Sequence, residues 1–180
     1  MKYTDAIRLG MEELAKQPNT VYLGYNVGCG SKASGTLKNI NEERLFETPL
    51  AENLMMSLGI GMSLEKYYPV VYFERFDFVL NAIDSIVNHL NKASKLSNGT
   101  FNPACLIRVA VGRRQKPFFS GMTHTQDFSK AMMNMVNFPV YVLHHNNTAE
   151  DIINTFAKSH NQNIMTVEYM DLYDETIKDL

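Results

Sequence analysis

The apolar residues of this chain switch between helical and strand periods all along its length, and that alternation restricts the fold more than any other feature. "YTDAIRLGMEELAKQ" sets Ala6, Ile7, Met11, Leu14 and Ala15 at helical spacing, with Thr4 or Asp5 near the start. "TVYLGYNV" and "RLFET" then read as strands, and "PLAENLMMSLGIGMSLEKY" as a helix with Pro49 near its first turn. "PVVYF" is a strand and "DFVLNAIDSIVNHLNKASKL" one long helix. "ACLIRVAVG" is a strand of the fully buried kind. "SKAMMNMVN", "FPVYVLH", "TAEDIINTFAKSH" and "NIMTVEY" complete the series as helix, strand, helix and strand. Near-continuous apolar strands alternating with helices predict an α/β fold. It is a three-layer sandwich, with a mostly parallel sheet covered by helices on both faces.

With 180 residues, the chain suits one domain over 1–180. A hydrophobic fraction of 45% with 20% charged residues is that of a globular protein. The formal net charge of −2 supplies no basic field, so neither nucleic acid nor a membrane surface is an expected partner. The first residues mix acids and bases without the apolar stretch of a signal peptide, and no run is long enough for a membrane span. The two cysteines, Cys29 and Cys105, have no CxxC spacing. Free thiols fit a reducing, cytoplasmic compartment, and no metal-ligating set is expected in the chain.

Several stretches carry chemistry under one reading and only structure under another. In "ETPLAEN", Glu52 opens a helix. It either favours the positive end of the helix dipole or acts as a buried proton donor at the mouth of a site. "GCGSKA", from Gly28, satisfies a GxGxxG/A dinucleotide pattern, and Glu47 lies near the spacing of a ribose contact. "SGTLKNIN" follows where an apolar helix should face the pyrophosphate, so a mobile glycine-rich loop is the better reading. In "GMTHTQD", His124 sits among small hydrogen-bonding residues after Arg113, Arg114 and Lys116, the composition of an anion- or oxyanion-handling loop. That loop interrupts strand and helix where an open α/β sheet places ligands. His89 and His160 read as helix-surface residues. Met55, Met56, Met62, Met132, Met133 and Met135 read as core fillers. Gly59 and Gly61 in one helical turn imply close approach by another backbone, within the domain or across a subunit contact. "FERFDF" sets Phe76 and Phe78 after a strand, either as core or as a stacking platform for a planar ligand.

Five stretches, "YTDAIRLGMEELAKQPNTVYLGYNVG", "ERLFETPLAENLMMSLGIGMS", "PVVYFERFDFVLNAIDSIVNHLNK", "NPACLIRVAVG" and "SGMTHTQDF", resemble in order and spacing the pyrimidine-binding domain of thiamine-diphosphate enzymes. The likeness is to the beta subunit of the 2-oxoacid dehydrogenase decarboxylase component, with transketolase more distant. The resemblance implies the thiamine-diphosphate-binding fold and that cofactor. It gives Glu52, in the family's "D-T-P-I-x-E" motif, the aminopyrimidine and the sharing of a proton with its ring nitrogen, Glu47 standing for the usual aspartate. It makes Phe78 the stacking aromatic, Glu74 a neighbouring cofactor-lining residue, and His124, in "HTQ" for "H-S-Q", the histidine facing substrate. Tyr25 and Asn26 replace two acids of the family's first loop, and Arg113 and Arg114 join them as candidate substrate contacts.

The resemblance also implies what this stretch does not carry. The family's diphosphate-binding domain holds Mg²⁺ through a "G-D-G" motif, and no such motif occurs here; the family's carboxyl-terminal domain is not expected either. A separate, alpha-type diphosphate-binding chain holding the Mg²⁺ is therefore the implied partner, in a two-fold heterotetramer with the Gly59–Ser63 face at a subunit contact. The implied reaction is decarboxylation of a 2-oxo acid with transfer of the activated fragment. The alternatives are ketol transfer between sugars, as in a split transketolase, and a non-catalytic interaction subunit that retains the fold.

Overall fold

A computed structural model of the chain describes residues 1–115 and 121–179. Its sheet has six strands in the order β2-β1-β3-β4-β6-β5. They are β1 (Thr20–Gly24), β2 (Leu45–Glu47), β3 (Tyr68–Phe73), β4 (Leu106–Val111), β5 (Val140–Val142) and β6 (Ile164–Tyr169). Every described pairing is parallel, with Tyr22 opposite both Leu45 and Val70 and Val109 opposite Val167. From β1 the chain moves outward to β2; from β3 it moves the other way. The strand order therefore reverses between β1 and β3, and a crevice opens there at the carboxyl ends.

Period-two alternation divides the strands between two cores. Tyr22, Val70, Tyr72, Leu106 and Ala110 face α1 (Tyr3–Leu14) and α5 (Ala149–Ala157), where they meet Ile7, Met11, Ile152 and Phe156. Leu23, Val71, Phe73, Ile107 and Val109 face the opposite layer. There they meet Met55 and Met56 of α2 (Glu52–Leu64), Ile86 of the segment after β3, and Met132 of α4 (Ser129–Met135). Helices thus cover both faces, as the apolar pattern predicts.

The stretch expected to be one long helix is not one. It winds as a 3-10 turn over Phe76–Ala82, a π-helix over Ser85–Leu90, and α3 (Ala93–Leu96). Val79, Ala82, Ile86 and Leu90 all turn inward, at a spacing that each kind of winding can satisfy. The wide turn carries Ser85, whose hydroxyl lies 2.9 Å from Ser57 Oγ and bonds Asn53 on α2.

Other expectations also need correction. The glycine-rich loop is anchored rather than mobile, because Val27, Ala33, Leu37 and Ile40 are buried in the α1 layer. His160 lies just past α5 and is half-buried: it bonds Asn19 at 2.8 Å and meets the Tyr68 ring edge-on, and burial pushes its pKa down. His89 is exposed, beside Asp84. Met133 and Met135 are exposed, because α4 turns only Met132 into the core. A Cβ on Gly59 would lie 2.6 Å from Val71 Cγ2, so this glycine serves packing of α2 on the sheet, whereas Gly61 has nothing within 4 Å.

One polar group lies deep in the α1 layer. Arg108 of β4 and Glu168 of β6 are both fully buried, and two N–H···O bonds of 2.8 Å join them side-on. Burial opposes the charge on Arg108, but the Glu168 carboxylate outweighs it and keeps the guanidinium protonated. The Tyr173 hydroxyl donates to the same carboxylate, and Arg108 sits 4.9 Å over the Tyr72 ring.

Candidate active site

At the reversal between β1 and β3 lies a cleft of about 540 Å³. Six residues singled out from the sequence line it: Tyr25 and Asn26 from the turn after β1, Glu52 from the start of α2, Glu74 and Phe78 from the connection after β3, and His124 from the loop after β4. Leu50, Met55 and Phe73 supply apolar walls. Four connections converge because four neighbouring strands point their carboxyl ends the same way.

Glu52 is half-buried in the first turn of α2, where the helix dipole favours negative charge. Asn81 Nδ2 donates to its Oε2 at 3.3 Å, which leaves Oε1 for a ligand. Phe78 presents a half-buried ring, and the His124 ring meets it edge-on at 5.0 Å and 90°. Thr123 Oγ1 lies 3.0 Å from His124 Nδ1. Asn26 Nδ2 donates to Glu74 Oε2 at 3.4 Å, so the replaced position 26 meets the glutamate after β3. An acid at position 26 would repel Glu74; the amide donates to it instead. Arg75, nearly buried, donates to the Glu74 carbonyl at 2.6 Å and lies 3.7 Å from its carboxylate.

Arg113 and Arg114 do not line the cleft. Arg113 pairs with Asp174 at 2.7 Å. The Arg114 guanidinium reaches the Thr125 carbonyl at 3.4 Å, approaches Asp127 at 3.8 Å and covers the Tyr169 ring at 5.8 Å. Both are engaged in holding the loop between β4 and α4. Lys116, the third member of that basic run, lies outside the described residues.

The dinucleotide-like loop is also accounted for. Glu47 accepts from the backbone N–H groups of Asn26 at 2.8 Å, Val27 at 2.9 Å, Gly28 at 2.8 Å and Cys29 at 3.2 Å. Donors that would cradle a phosphate elsewhere are filled by the protein's own carboxylate. Partial burial pushes the Glu47 pKa up, but the N–H groups of Asn26, Gly28 and Cys29 outweigh it and hold the carboxyl below the ordinary range. The same carboxylate pushes the exposed Cys29 thiol up, so that thiol is not activated.

A lowered folded-state pKa stabilises the loop above the unfolded value, near about 4.3, and the effect is lost as pH falls through the folded pKa. We expect Glu47→Gln to lower stability at pH 7 by about 1 kcal/mol, a modest figure because the side chain is exposed. In urea titrations the gap from wild type should close below about pH 4. A gap of equal size at both pH values would contradict this account.

Sequence reading missed Asn81, Asp77 and Gly112 as parts of the site, and took Gln126 only as a hydrogen-bonding neighbour of His124. Asp77 and Gln126 stand inside the motifs "FERFDF" and "HTQ", but nothing in their spacing signals that they touch. Among the described residues no three His, Cys, Asp or Glu side chains gather to hold a metal ion.

No family model matches the chain. It is 31% identical over 138 residues to the mitochondrial pyruvate dehydrogenase E1 component subunit beta of Saccharomyces cerevisiae, a match that covers 72% of this chain and 36% of that protein. It is 30% identical over 117 residues to the 2-oxoisovalerate dehydrogenase subunit beta of Bacillus subtilis, covering 62% of this chain and 36% of that one. Among solved structures, a split-gene transketolase described as an inactive beta4 tetramer superposes with a TM-score of 0.67 at 18% identity, over 91% of this chain and 49% of that chain. By sequence the chain is a homologue of 2-oxoacid dehydrogenase beta subunits, and its fold is transketolase-like. The chain spans about a third of the length of those curated relatives. In it, the order "ETPLAE", "FERFDF", "HTQ" maps onto one crevice. Among the described residues, no helix of this transketolase-like domain is long and apolar enough to cross a membrane.

Proposed function

We propose that this chain supplies the pyrimidine half of a split thiamine-diphosphate site, in an enzyme that decarboxylates a 2-oxo acid and transfers the activated fragment. One observation carries the reading: Glu52, Phe78 and His124 line a single cleft at the point where the strand order reverses. The donor set fits the cofactor's aminopyrimidine. Phe78 offers a flat apolar face, Glu52 a carboxyl with a free oxygen, and Leu50 and Met55 the apolar surroundings of a planar ring. When bound, the cofactor supplies an electron sink beside a carbonyl, so that an adjacent carbon–carbon bond can break or form.

The chain's own residues have narrower tasks. Glu52 holds a proton at a ring nitrogen of the pyrimidine, with Asn81 fixing its other oxygen. Phe78 sets the plane of the ring, and Leu50 and Met55 exclude water from it. His124, which lines the same cleft as Glu52, serves as a hydrogen-bonding group for the oxygen atoms of a substrate.

The diphosphate and its Mg²⁺ belong, on this reading, to a separate alpha-type chain, the two chains forming a two-fold heterotetramer. Leu50 in the cleft wall, Leu54 two residues after Glu52 and Met122 two residues before His124 are 63%, 52% and 85% exposed, apolar surface suited to such a neighbour. Ketol transfer is the second reading, favoured by the split-gene transketolase among the structural neighbours. The free thiols of Cys29 and Cys105 support a reducing compartment such as the cytoplasm.

Calorimetric titration with thiamine diphosphate and Mg²⁺ tests the split site. We expect the isolated chain to bind at least roughly 100-fold more weakly than the chain mixed with its diphosphate-binding partner, because the charged contacts are missing. Tight binding by the isolated chain would refute the division of the site.

A further inference from the structure

We infer that Asp77 is a positioning residue that sets His124 against Phe78 by clamping the loop through Gln126. The inference rests on the proposed role of His124, but its structural part stands independently. Asp77 lies in the 3-10 turn immediately before Phe78 and is only 7% exposed. Its Oδ1 accepts from Gln126 Nε2 at 2.9 Å and from the Gln126 backbone N–H at 3.3 Å, and its Oδ2 lies 3.4 Å from the same N–H. One carboxylate thus takes both the main chain and the side chain of a residue two positions after His124.

A second contact holds the loop from the other side. A Cβ on Gly112 would lie 2.1 Å from the His124 carbonyl oxygen and 3.2 Å from Arg75 Cδ. Only glycine at the exit of β4 leaves room for this close passage. The loop is therefore gripped between the end of β4 and the turn after β3, and the imidazole comes to rest perpendicular to the Phe78 ring. Next along the chain, Asp127 accepts from Tyr169 Oη at 2.7 Å and from the Ser129 N–H at 2.9 Å, which secures the loop's exit.

The same turn also presents Asn81, four residues after Asp77, to Glu52. A single short segment thus carries the aromatic face, the anchor of the histidine loop and the donor to the carboxylate. Its geometry sets the separation of the two groups that would do chemistry. A longer loop without this clamp would leave the imidazole to wander, and misplacement by about 1 Å costs on the order of 100-fold in rate.

Exchanging amide and carboxylate provides the test. Gln126→Glu sets a carboxylate against the Asp77 carboxylate. Asp77→Asn in the Gln126→Glu background restores the pairing with donor and acceptor reversed, since the asparagine oxygen still accepts from the backbone N–H and its amide donates to the new carboxylate. In the isolated chain, Gln126→Glu should abolish magnetisation transfer between the His124 and Phe78 ring protons. It should also speed amide exchange at 123–127 by about 10-fold or more, while β3 stays protected. The double variant should restore both signals. In the chain assembled with its partner, Gln126→Glu should lower kcat by about 10-fold or more with cofactor affinity within about threefold, and the double variant should recover it. Ring contact and exchange that ignore Gln126→Glu, or that fail to recover in the double variant, overturn the clamp. A clamp that breaks and recovers while kcat stays constant overturns the role of His124 in the reaction, and with it the functional part of this inference.

Discussion

Replacing Glu52 by glutamine, in the chain assembled with its diphosphate-binding partner, is expected to reduce turnover by about 10²–10⁴-fold, the usual range for loss of a positioned proton donor. Glutamine keeps the shape and can still accept from Asn81, but it has no acidic proton to share with a ring nitrogen. Stability should move by no more than about 0.5 kcal/mol, because the side chain is half-exposed and makes a single described hydrogen bond. Steady-state rates and a urea titration of the same variant separate these effects. A rate within about threefold of wild type would point instead to a subunit that retains the fold without the chemistry.

The second large effect concerns folding. Glu168→Ala should destabilise the chain by about 3–5 kcal/mol, since it strands the Arg108 guanidinium in a fully buried place. Against a total stability of about 5–15 kcal/mol for a domain, that loss should be plain in a chemical denaturation curve. Arg108→Met together with Glu168→Leu should recover most of it. Among the described residues the wild-type pair is incompletely satisfied, with Arg108 Nη1 buried without a hydrogen-bond partner, so the apolar replacement gives up the Glu168 pairing and the Tyr173 hydroxyl's acceptor but leaves no buried charge. A double variant as unstable as the single one would mean that the pair contributes something an apolar core cannot.

The layers and strand directions were legible because each long strand is buried on both faces, and runs such as "VVYF" and "LIRVAV" declare this without reference to neighbours. The interruption of the helix after β3 was not, since inward residues at steps of three and four suit any helical winding. Arg108 and Glu168 could have been noticed as opposite charges inside two apolar strands, but only the strand order shows that β4 and β6 are adjacent. For the site, motif order was enough to bring Glu52, Phe78 and His124 to one end of the sheet. Composition misdirected the reading of Arg113 and Arg114: positive charge near a loop histidine suggested a substrate anion, whereas Asp174 and Asp127 answer those charges within the chain. Asp77 stayed hidden because its partner lies 49 positions away.

The amino-terminal residues are tied to the segment after β6. Tyr3 N–H donates to the Glu175 carbonyl and Ile177 N–H to the Met1 carbonyl, both at 3.0 Å, and Lys2 bridges Thr176. Position 2 and position 176 are thus side by side. Residues 1–3 and 175–177 close one seam between the start of α1 and the stretch that follows β6, so an opening of either segment should expose the other to solvent exchange at the same time.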